Sequence, residues 1–325
     1  MPHGTLRRGL VILIALAVSA CARNDTPTLR LAANAWPGYG YFYIAQKKGF
    51  TADAGIHLEI VDTLSLRDSR RAFERGQVDL LGGTPLELVQ IERRSDRKAR
   101  AVLMLDRSVG ADVILARPPV TGVAGLRGRH VAVEPGSANL LVLAGALAHA
   151  GVPATGVRLA PMPQSSMAEA LAEGEVSAAV TYPPFSKRME HLDGVRRIFD
   201  TAAAPNAVID ILIASREVTR ERTGALSRLI RAHQRALDWA ADHPQEAAEL
   251  LAHRGGQSSE EIREPLEQIH MIGLRAQRDC WGEDACLIRA VRRSVTALEA
   301  FDRRAITIDP RRLLDSRALE RVASP

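Results

Sequence analysis

Aromatic residues are scarce in this sequence, and so are long apolar runs. Aromatics make up 4% of the 325 residues, so any cluster of them is informative. After residue 20, no segment has the ~20 consecutive apolar residues that a membrane-spanning helix needs. The hydrophobic fraction of 46% and the charged fraction of 25% are typical of a globular protein and exclude a disordered or fibrous one. A chain of this length can form two domains of ordinary size.

Motifs for catalysis, metal binding and nucleic-acid binding are also missing from the sequence. The segment 134–139 lacks the second glycine of a nucleophile elbow. His233, His243 and His253 stand ten residues apart in mainly helical sequence, so they lie on different faces and do not form a metal site. The net charge of +5 arises among arginines interleaved with Asp and Glu, as on solvated helix faces. We therefore expect no enzyme activity, no cofactor, no metal and no nucleic-acid partner.

The first twenty residues have the features of a lipoprotein signal peptide. Two arginines precede the apolar run Gly9–Val18, which is too short to span a membrane. Small residues then stand before Cys21, an order that resembles the lipobox of bacterial lipoproteins, in which the cysteine is acylated. The alternative is an ordinary cleaved secretory signal. We predict residues 1–20 as the signal peptide, Cys21 as the lipidation site and residues 21–28 as a polar tether.

If Cys21 carries lipid, Cys280 and Cys286 are the cysteines that remain. An even pair in an exported protein favours a disulfide, which here would close a small ring. The alternative is two free buried thiols, because a sequence does not reveal the distance between the two Cα atoms. We predict the disulfide.

Two stretches of the chain repeat the same order of strands and helices. In each, three short strands rich in apolar residues alternate with two helices that end at a glycine, the residue that most easily adopts the left-handed conformation. The segment Ala72–Asp79 (AFERGQVD) is echoed by Ala170–Ser177 (ALAEGEVS). Such alternation indicates parallel sheets covered on both faces, so we predict an α/β protein with two similar, doubly wound lobes. The predicted strands are 29–34, 56–61 and 78–81 in the first stretch and 130–134, 157–160 and 176–180 in the second.

Two further apolar segments, Val113–Ala116 and Ile211–Ala214, are predicted as crossover strands that hinge the lobes. The chain after residue 215 is predicted as helices packed on lobe one, with one helix over Ser259–Arg278. A bilobal protein with a hinge suits ligand capture by closure of the lobes. The predicted lobe boundaries are 29–112 and 210–325 for lobe one and 113–209 for lobe two.

Ligands of parallel sheets bind beyond the carboxyl ends of the strands, so the loops at those ends are the candidate site. Five of the thirteen aromatics fall in the turn at residues 35–43. Trp36 is the strongest candidate because the turn itself does not need a Trp, whereas Tyr41 either contacts the ligand or faces the core of its own helix. Gly82 and Gly83 are expected to let the backbone approach a ligand. The predicted ligand-binding residues are Trp36, Tyr39, Tyr41, Thr84, Asp112, Glu134, Ser137, Asn139, Tyr182 and Asp210.

Four acidic residues lie at predicted strand ends or at the hinge, namely Asp106, Asp112, Glu134 and Asp210. A carboxylate ~4 Å from an anionic ligand costs about 4 kcal/mol at an effective dielectric of about 20. The ~0.3–1 kcal/mol from a helix N-terminus does not offset that cost. If these acids face the cleft, the ligand should be cationic or rich in hydrogen-bond donors, with Trp36 as a cation–π partner. If instead they pair with neighbouring arginines, an anion site at Ser137 stays open; the candidate arginines are Arg107, Arg117 and Arg129.

The segment Leu31–Phe50 (LAANAWPGYGYFYIAQKKGF), followed by Ala54–Ile56, resembles the opening of the substrate-binding proteins of nitrate/sulfonate/taurine-type ABC importers. The shared features are a Trp-Pro-Gly turn, a Tyr-Ile-Ala helix and a Gly-Phe ending. The family also includes proteins that bind pyrimidine precursors of thiamine. The similarity spans roughly residues 29–250 and continues through 71–83, 108–112, 126–133, 174–182 and 238–248.

The resemblance implies a type II periplasmic-binding-protein fold, with two lobes joined by two crossover strands, and no catalysis. It also implies that the protein lies on the periplasmic side of the cell envelope and hands a small molecule to an ABC permease of the inner membrane. The family name does not fix the ligand, because the four acids are not what a nitrate or sulfonate binder would be expected to need; the acids and the aromatic turn favour a small cationic or aromatic molecule. Two alternatives stay open: a ligand-sensing module for a membrane signalling partner, and an enzyme similar to the pyrimidine-precursor synthases that share the fold. The loop positions that the resemblance supports are Trp36, Tyr39, Thr84, Ser137 and Tyr182.

Overall fold

The computed structural model describes residues 26–204, 206–282 and 285–323. The predicted signal peptide, the lipidation site Cys21 and most of the predicted tether lie outside these residues. In chain order the strands are β1 (Thr28–Ala33), β2 (His57–Asp62), β3 (Leu80–Gly83), β4 (Ala99–Ser108), β5 (Val113–Ala116), β6 (His130–Val133), β7 (Arg158–Pro161), β8 (Ala178–Thr181), β9 (Arg196–Asp200), β10 (Ile209–Ser215) and β11 (Ile269–Met271).

Helices follow most of the strands and cover the sheets. None of the helices in the described ranges is both long enough and apolar enough to cross a membrane. In chain order they are α1 (Gly40–Lys47), α2 (Phe50–Asp53), α3 (Leu66–Glu74), α4 (Pro85–Arg94), α5 (Asn139–His149), α6 (Gln164–Glu173), α7 (Phe185–Glu190), α8 (Arg216–Glu221), α9 (Thr223–Asp242), α10 (Pro244–Gly255), α11 (Ser259–Glu267), α12 (Leu274–Gln277), α13 (Cys286–Asp302) and α14 (Arg317–Ala323).

The strands form two separate sheets with the same internal arrangement. The first sheet has the order β11-β4-β10-β3-β1-β2, and the second, from edge to edge, β9-β5-β8-β6-β7. In each sheet three parallel strands are followed by one antiparallel strand, β10 in the first and β5 in the second. We call the first sheet with its helices lobe one and the second lobe two. The prediction of an α/β protein with two doubly wound lobes is confirmed.

The two predicted crossover segments supply the antiparallel strand of each sheet. β5 enters lobe two directly after the chain leaves lobe one, and β10 re-enters lobe one after lobe two is complete. The central strands β3, β5 and β8 are buried along their whole length. This burial on both faces explains their continuous apolar or small-residue sequences, because helices cover the sheet on either side.

The predicted helix over Ser259–Arg278 is wrong. Helix α11 ends at Glu267, strand β11 follows, and the short helix α12 comes after Gly273. Pro265 lies inside the last turns of α11 and has no backbone N–H to donate, which weakens the helix there. The next residues pair antiparallel with β4, where Met271 lies opposite Asp106. This pairing covers the edge of the first sheet and satisfies its backbone groups.

The predicted disulfide between Cys280 and Cys286 is not formed in the structure, in which both residues are buried free thiols. Each sulfur has noncovalent contacts instead. Cys286 Sγ lies 3.6 Å from Met104 Sδ, and Arg107 Nη2 lies 3.9 Å from Cys280 Sγ. A hydrogen bond from the Cys286 thiol, with the nearby Arg107 guanidinium, lowers the pKa of Cys280 to about 7. Cys280 and Cys286 therefore form a hydrogen-bonded pair of thiols next to β4.

Candidate ligand-binding cleft

A small cavity lies between the two sheets, at the carboxyl ends of their parallel strands. Its volume is about 10 Å³, roughly the space of one water molecule. The two lobes are therefore closed on each other in this structure. The lining residues come from both lobes and from the connections between them: Asn34, Trp36, Tyr39, Leu66, Asp112, Ala138, Tyr182, Val208 and Asp210.

Aromatic side chains from the two lobes meet across the cavity. Trp36 follows β1 of lobe one, and Tyr182 follows β8 of lobe two. Their ring centroids lie 6.1 Å apart at an interplanar angle of 80°, which is the favoured edge-to-face arrangement. Asn34 Nδ2 also donates to the Tyr182 hydroxyl over 3.1 Å. The closed cleft is thus held by a ring contact and a hydrogen bond between the lobes.

Two carboxyl groups lie side by side in lobe one, and of the two only that of Asp210 belongs to a residue that lines the cavity. Asp106 on β4 and Asp210 on β10 are directly opposite each other in the antiparallel pair. Trp36 Nε1 lies 3.3 Å from both carboxylate oxygens of Asp106, and the Tyr39 hydroxyl donates to Asp210 Oδ1. Asp112 stands at the connection into lobe two, and its backbone N–H donates to Ser108 Oγ over 3.0 Å.

Burial dominates the electrostatics of these acids. It raises the pKa of Asp106 and that of Asp112 to about 7, because the charged form loses its hydration. Burial, together with the neighbouring Asp106 charge, raises the pKa of Asp210 well above its ordinary value. Glu87, at the first turn of α4, has a pKa raised to about 7 by burial as well. Within the described ranges, Asp112 Oδ2 and Asp210 Oδ2 are buried without a hydrogen-bond partner.

The alternative in which arginines neutralise these acids is wrong. Arg107 lies against Cys280, and Arg129 Nε donates to the Gly125 carbonyl over 3.1 Å. The Arg117 guanidinium lies against Gly174 at the end of α6. None of the ion pairs among the described residues includes any of the four acids, Asp106, Asp112, Glu134 and Asp210.

Half of the ten predicted ligand-binding residues line the cavity, namely Trp36, Tyr39, Asp112, Tyr182 and Asp210. Thr84 does not, because it caps α4: its Oγ1 donates to Glu87 Oε2 over 2.5 Å and accepts from the Leu86 N–H over 3.2 Å. Tyr41 packs against His233 in lobe one, with ring centroids 6.5 Å apart. For Tyr41 the structure therefore favours the alternative in which it faces the core of its own lobe.

The other three predicted residues form the loop that begins α5. Ser137 Oγ donates to the Glu134 carbonyl over 3.1 Å, and Asn139 Oδ1 accepts from the Glu134 N–H over 2.9 Å. The Glu134 side chain reaches lobe one, where its Oε1 accepts from the Arg67 N–H over 3.2 Å. Ser137 and Asn139 fix the loop, and Glu134 connects the two lobes; none of the three lines the cavity.

Two glycines make room for the cavity wall. A Cβ on Gly82 would lie 2.8 Å from ring atoms of Tyr39, so this glycine accommodates the Tyr39 ring. Gly82 was expected to let a ligand approach the backbone, but the Tyr39 ring occupies that space. A Cβ on Gly38 would lie 2.1 Å from Asp106 Oδ2 and 2.8 Å from Trp36 Nε1. Gly38 is therefore required for the close approach of Trp36 and Asp106.

Four lining residues escaped the sequence analysis: Asn34, Leu66, Ala138 and Val208. Asn34 could have been found, because it directly follows β1 at the carboxyl end of a parallel strand. The other three are apolar and carry no chemical signal, so their place in the cavity is visible only in the folded protein.

Two similar sheets, two crossings of the chain and a cleft at the strand ends define the periplasmic-binding-protein class. Solved structures of the same fold include the alkanesulfonate-binding protein SsuA from Xanthomonas axonopodis pv. citri bound to MOPS, with a TM-score of 0.70 and 17% identity, covering 90% of this chain and 96% of that one. The aliphatic sulphonate-binding protein SsuA from Escherichia coli has a TM-score of 0.70 and 18% identity, covering 89% and 97%. The desulfurization enzyme DSZB has a TM-score of 0.65 and 18% identity, covering 91% and 99%.

The sequence itself places the chain in a family. The model of the family described as NMT1/THI5 like matches residues 36–247, so this chain belongs to that family. A relative from Brucella abortus (strain 2308), described as a binding protein, is 25% identical over 265 residues, which is 76% of this chain and 78% of the relative. The resemblance and the fold expected from it are confirmed.

Proposed function

We propose that this protein is an extracytoplasmic solute-binding lipoprotein, which captures a small molecule between its lobes and delivers it to an ABC importer. The observation that carries the proposal is the cavity closed from both sides by Trp36 of lobe one and Tyr182 of lobe two. Two of the structural relatives are described as sulfonate-binding proteins. We place the lobe boundaries between residues 112 and 113 and between residues 209 and 210, where the chain crosses.

Capture requires the lobes to part and close again, because a cavity of about 10 Å³ admits no solute larger than water. Asp112 and Asp210 lie at the two crossings, so a ligand held by them acts directly at the hinge. On the rim, Glu264 of α11 contacts Lys187 of α7, and its Oε1 lies 3.7 Å from Arg197 Nη2 of β9. Such exposed ion pairs contribute little free energy, so they favour the closed form but still allow the lobes to part.

The protein purified from the envelope fraction under non-denaturing conditions should carry a noncovalent small molecule, released by acid precipitation and detected by mass spectrometry. The Tyr182→Ala variant should come without it, because it loses both the Trp36 ring contact and the Asn34 hydrogen bond. The matched control is Tyr43→Ala, since Tyr43 lies on α1 and does not line the cavity. Release of a chemically altered solute after incubation would instead indicate an enzyme, and an empty protein would contradict capture.

Lipid anchoring at Cys21 gives a separate prediction. The unchanged chain should partition into detergent on phase separation, and Cys21→Ser should shift to the aqueous, soluble envelope fraction, because acylation needs the thiol. Cys280→Ser is the matched control, since Cys280 is buried under β4. If Cys21→Ser still partitions with the detergent, Cys21 is not the lipid anchor and the N-terminal segment is not a lipoprotein signal.

A further inference from the structure

The cleft acids indicate a ligand class. We infer that the cleft binds a small organic cation whose charged group is planar and presents at least two N–H donors, as in an amidinium or a guanidinium. This inference rests on the proposed function, because it names the solute that the same cleft would capture.

Acceptor atoms face the cavity without donors. Asp112 and Asp210 line it and are only 2% and 3% exposed. Within the described part of the chain, the Oδ2 atom of each has no hydrogen-bond partner. A buried acceptor left unpaired is costly, so native sites provide it with a partner. A ligand with two N–H donors has one for each of these atoms.

The charged residues that line the cavity are all acidic. No Lys, Arg or His is found among the described residues that line the cavity. Two acids line it, Asp112 and Asp210, and Asp106 lies opposite Asp210 in the sheet. The Asp112 charge raises the pKa of Asp106, and the charges of Asp106 and Asp112 raise the pKa of Asp210. An anion would approach them at the start of α5, near Ala138. A single carboxylate at short range disfavours an anion more than a helix N-terminus favours it.

The shape of the wall selects a flat cation. Asp112 and Asp210 each bring one unpartnered carboxyl oxygen to the residues that line the cavity, whereas both oxygens of Asp106 lie 3.3 Å from Trp36 Nε1. Planar groups with parallel N–H bonds match carboxylates in a bidentate manner, and they also pack on aromatic rings, which a compact ammonium does less well. The rings of Trp36, Tyr39 and Tyr182 complete the wall.

Protons stabilise the closed cleft and compete with such a cation. The titratable side chains that act on Asp210 are Asp106, Asp112, Glu87 and Tyr39. Burial raises the pKa of the carboxyl groups in this set, so they hold protons in the closed form near neutral pH. A bound cation replaces protons, and its affinity therefore increases as pH rises. An anion would bind more weakly as pH rises, because the same acids become charged.

The test uses three isosteres that differ in charge and donors: acetamidine, acetamide and acetate. The larger set of benzamidine, benzamide, benzoate and benzenesulfonate allows for a wider cleft. Binding to the full chain, purified in mild detergent, is measured by calorimetry at pH 6 and pH 8. We expect at least one amidine to bind ~100-fold more tightly than its amide, since an unpaired buried charge is satisfied. Its affinity should rise with pH, and protons should be released on binding.

Variants locate the binding site. Asp112→Asn should lower the amidine affinity by roughly 100-fold and should reduce its pH dependence, because one of the titrating carboxyl groups is removed. Asp193→Asn, a change at an exposed acid outside the cleft, should leave both unchanged. If neither amidine binds more tightly than its amide, the inference is overturned.

Tighter binding of acetate or benzenesulfonate than of the amidines would also overturn it. That outcome would leave solute capture intact, because the solute that copurifies with the protein tests capture independently.

Discussion

At pH 8, the Asp112→Asn variant is expected to be more stable than the unchanged protein. Asp112 is 2% exposed, and burial raises its pKa from 3.8 to about 7. A folded-state pKa above the unfolded value means that the group stabilises the fold fully below pH ~4 and loses this contribution as pH rises through about 7. At pH 8 the folded protein therefore holds a buried charge that the unfolded chain hydrates, and Asn removes that charge.

The expected gain is roughly 2–4 kcal/mol in the free energy of unfolding, because each pKa unit corresponds to about 1.4 kcal/mol. Partial opening of the lobes would rehydrate the carboxylate and keeps the gain below the upper figure. Urea unfolding at pH 5 and pH 8 measures it, with Asp193→Asn as the control at an exposed acid. A variant that is less stable than the unchanged protein at pH 8, or equally stabilised at both pH values, would contradict the argument.

The same substitution is expected to weaken cation binding by roughly 100-fold, so stability and capture oppose each other at Asp112. Sites that bind a charged ligand commonly retain groups that destabilise the ligand-free fold. A bound cation then supplies the positive charge and the N–H donors that the ligand-free cleft lacks. Because ligand binding stabilises only the form that binds, we expect the solute to restore at pH 8 the stability that the buried acids remove.

Replacing Gly38 with alanine should disrupt the cleft. The new Cβ would lie 2.1 Å from Asp106 Oδ2 and 2.8 Å from Trp36 Nε1, both closer than nonbonded atoms allow. Asp106 is fully buried, and Trp36 is 4% exposed, so neither side chain has room to withdraw without moving its neighbours. We expect a loss of about 1–3 kcal/mol of stability, as for other overpacked sites, and loss of solute binding.

Thermal unfolding and solute titration of Gly38→Ala check this prediction. The matched control is Gly122→Ala, because a Cβ on Gly122 would meet no atom within 4 Å and its backbone is extended, with a φ of −168°. Wild-type affinity in Gly38→Ala would show that Asp106 and Trp36 do not need their close approach for binding.

Much of the fold follows from short-range patterns. The segment predicted as the first crossover, Val113–Ala116, is a strand with those same bounds, and the third strand of each lobe lies within two residues of its predicted place. Glycine ends several helices because only the local backbone conformation is involved. Strands β4, β9 and β11 were missed, since they lie outside the repeated pattern and each becomes a strand through pairing with a distant partner.

The sequence alone determined the repeated strand and helix units, the positions of the loops at the strand ends and the identity of the acids available there. These depend on local backbone preference and on the spacing of apolar residues, which neighbouring positions control. Tertiary structure decided which of these groups meet. Asp106 and Asp210 become neighbours through the register of β4 with β10, and Asn34 reaches Tyr182 only when the lobes close. Burial, and with it the raised pKa of each carboxyl group, arises from that closure, because a single segment of chain does not exclude water from its own side chains.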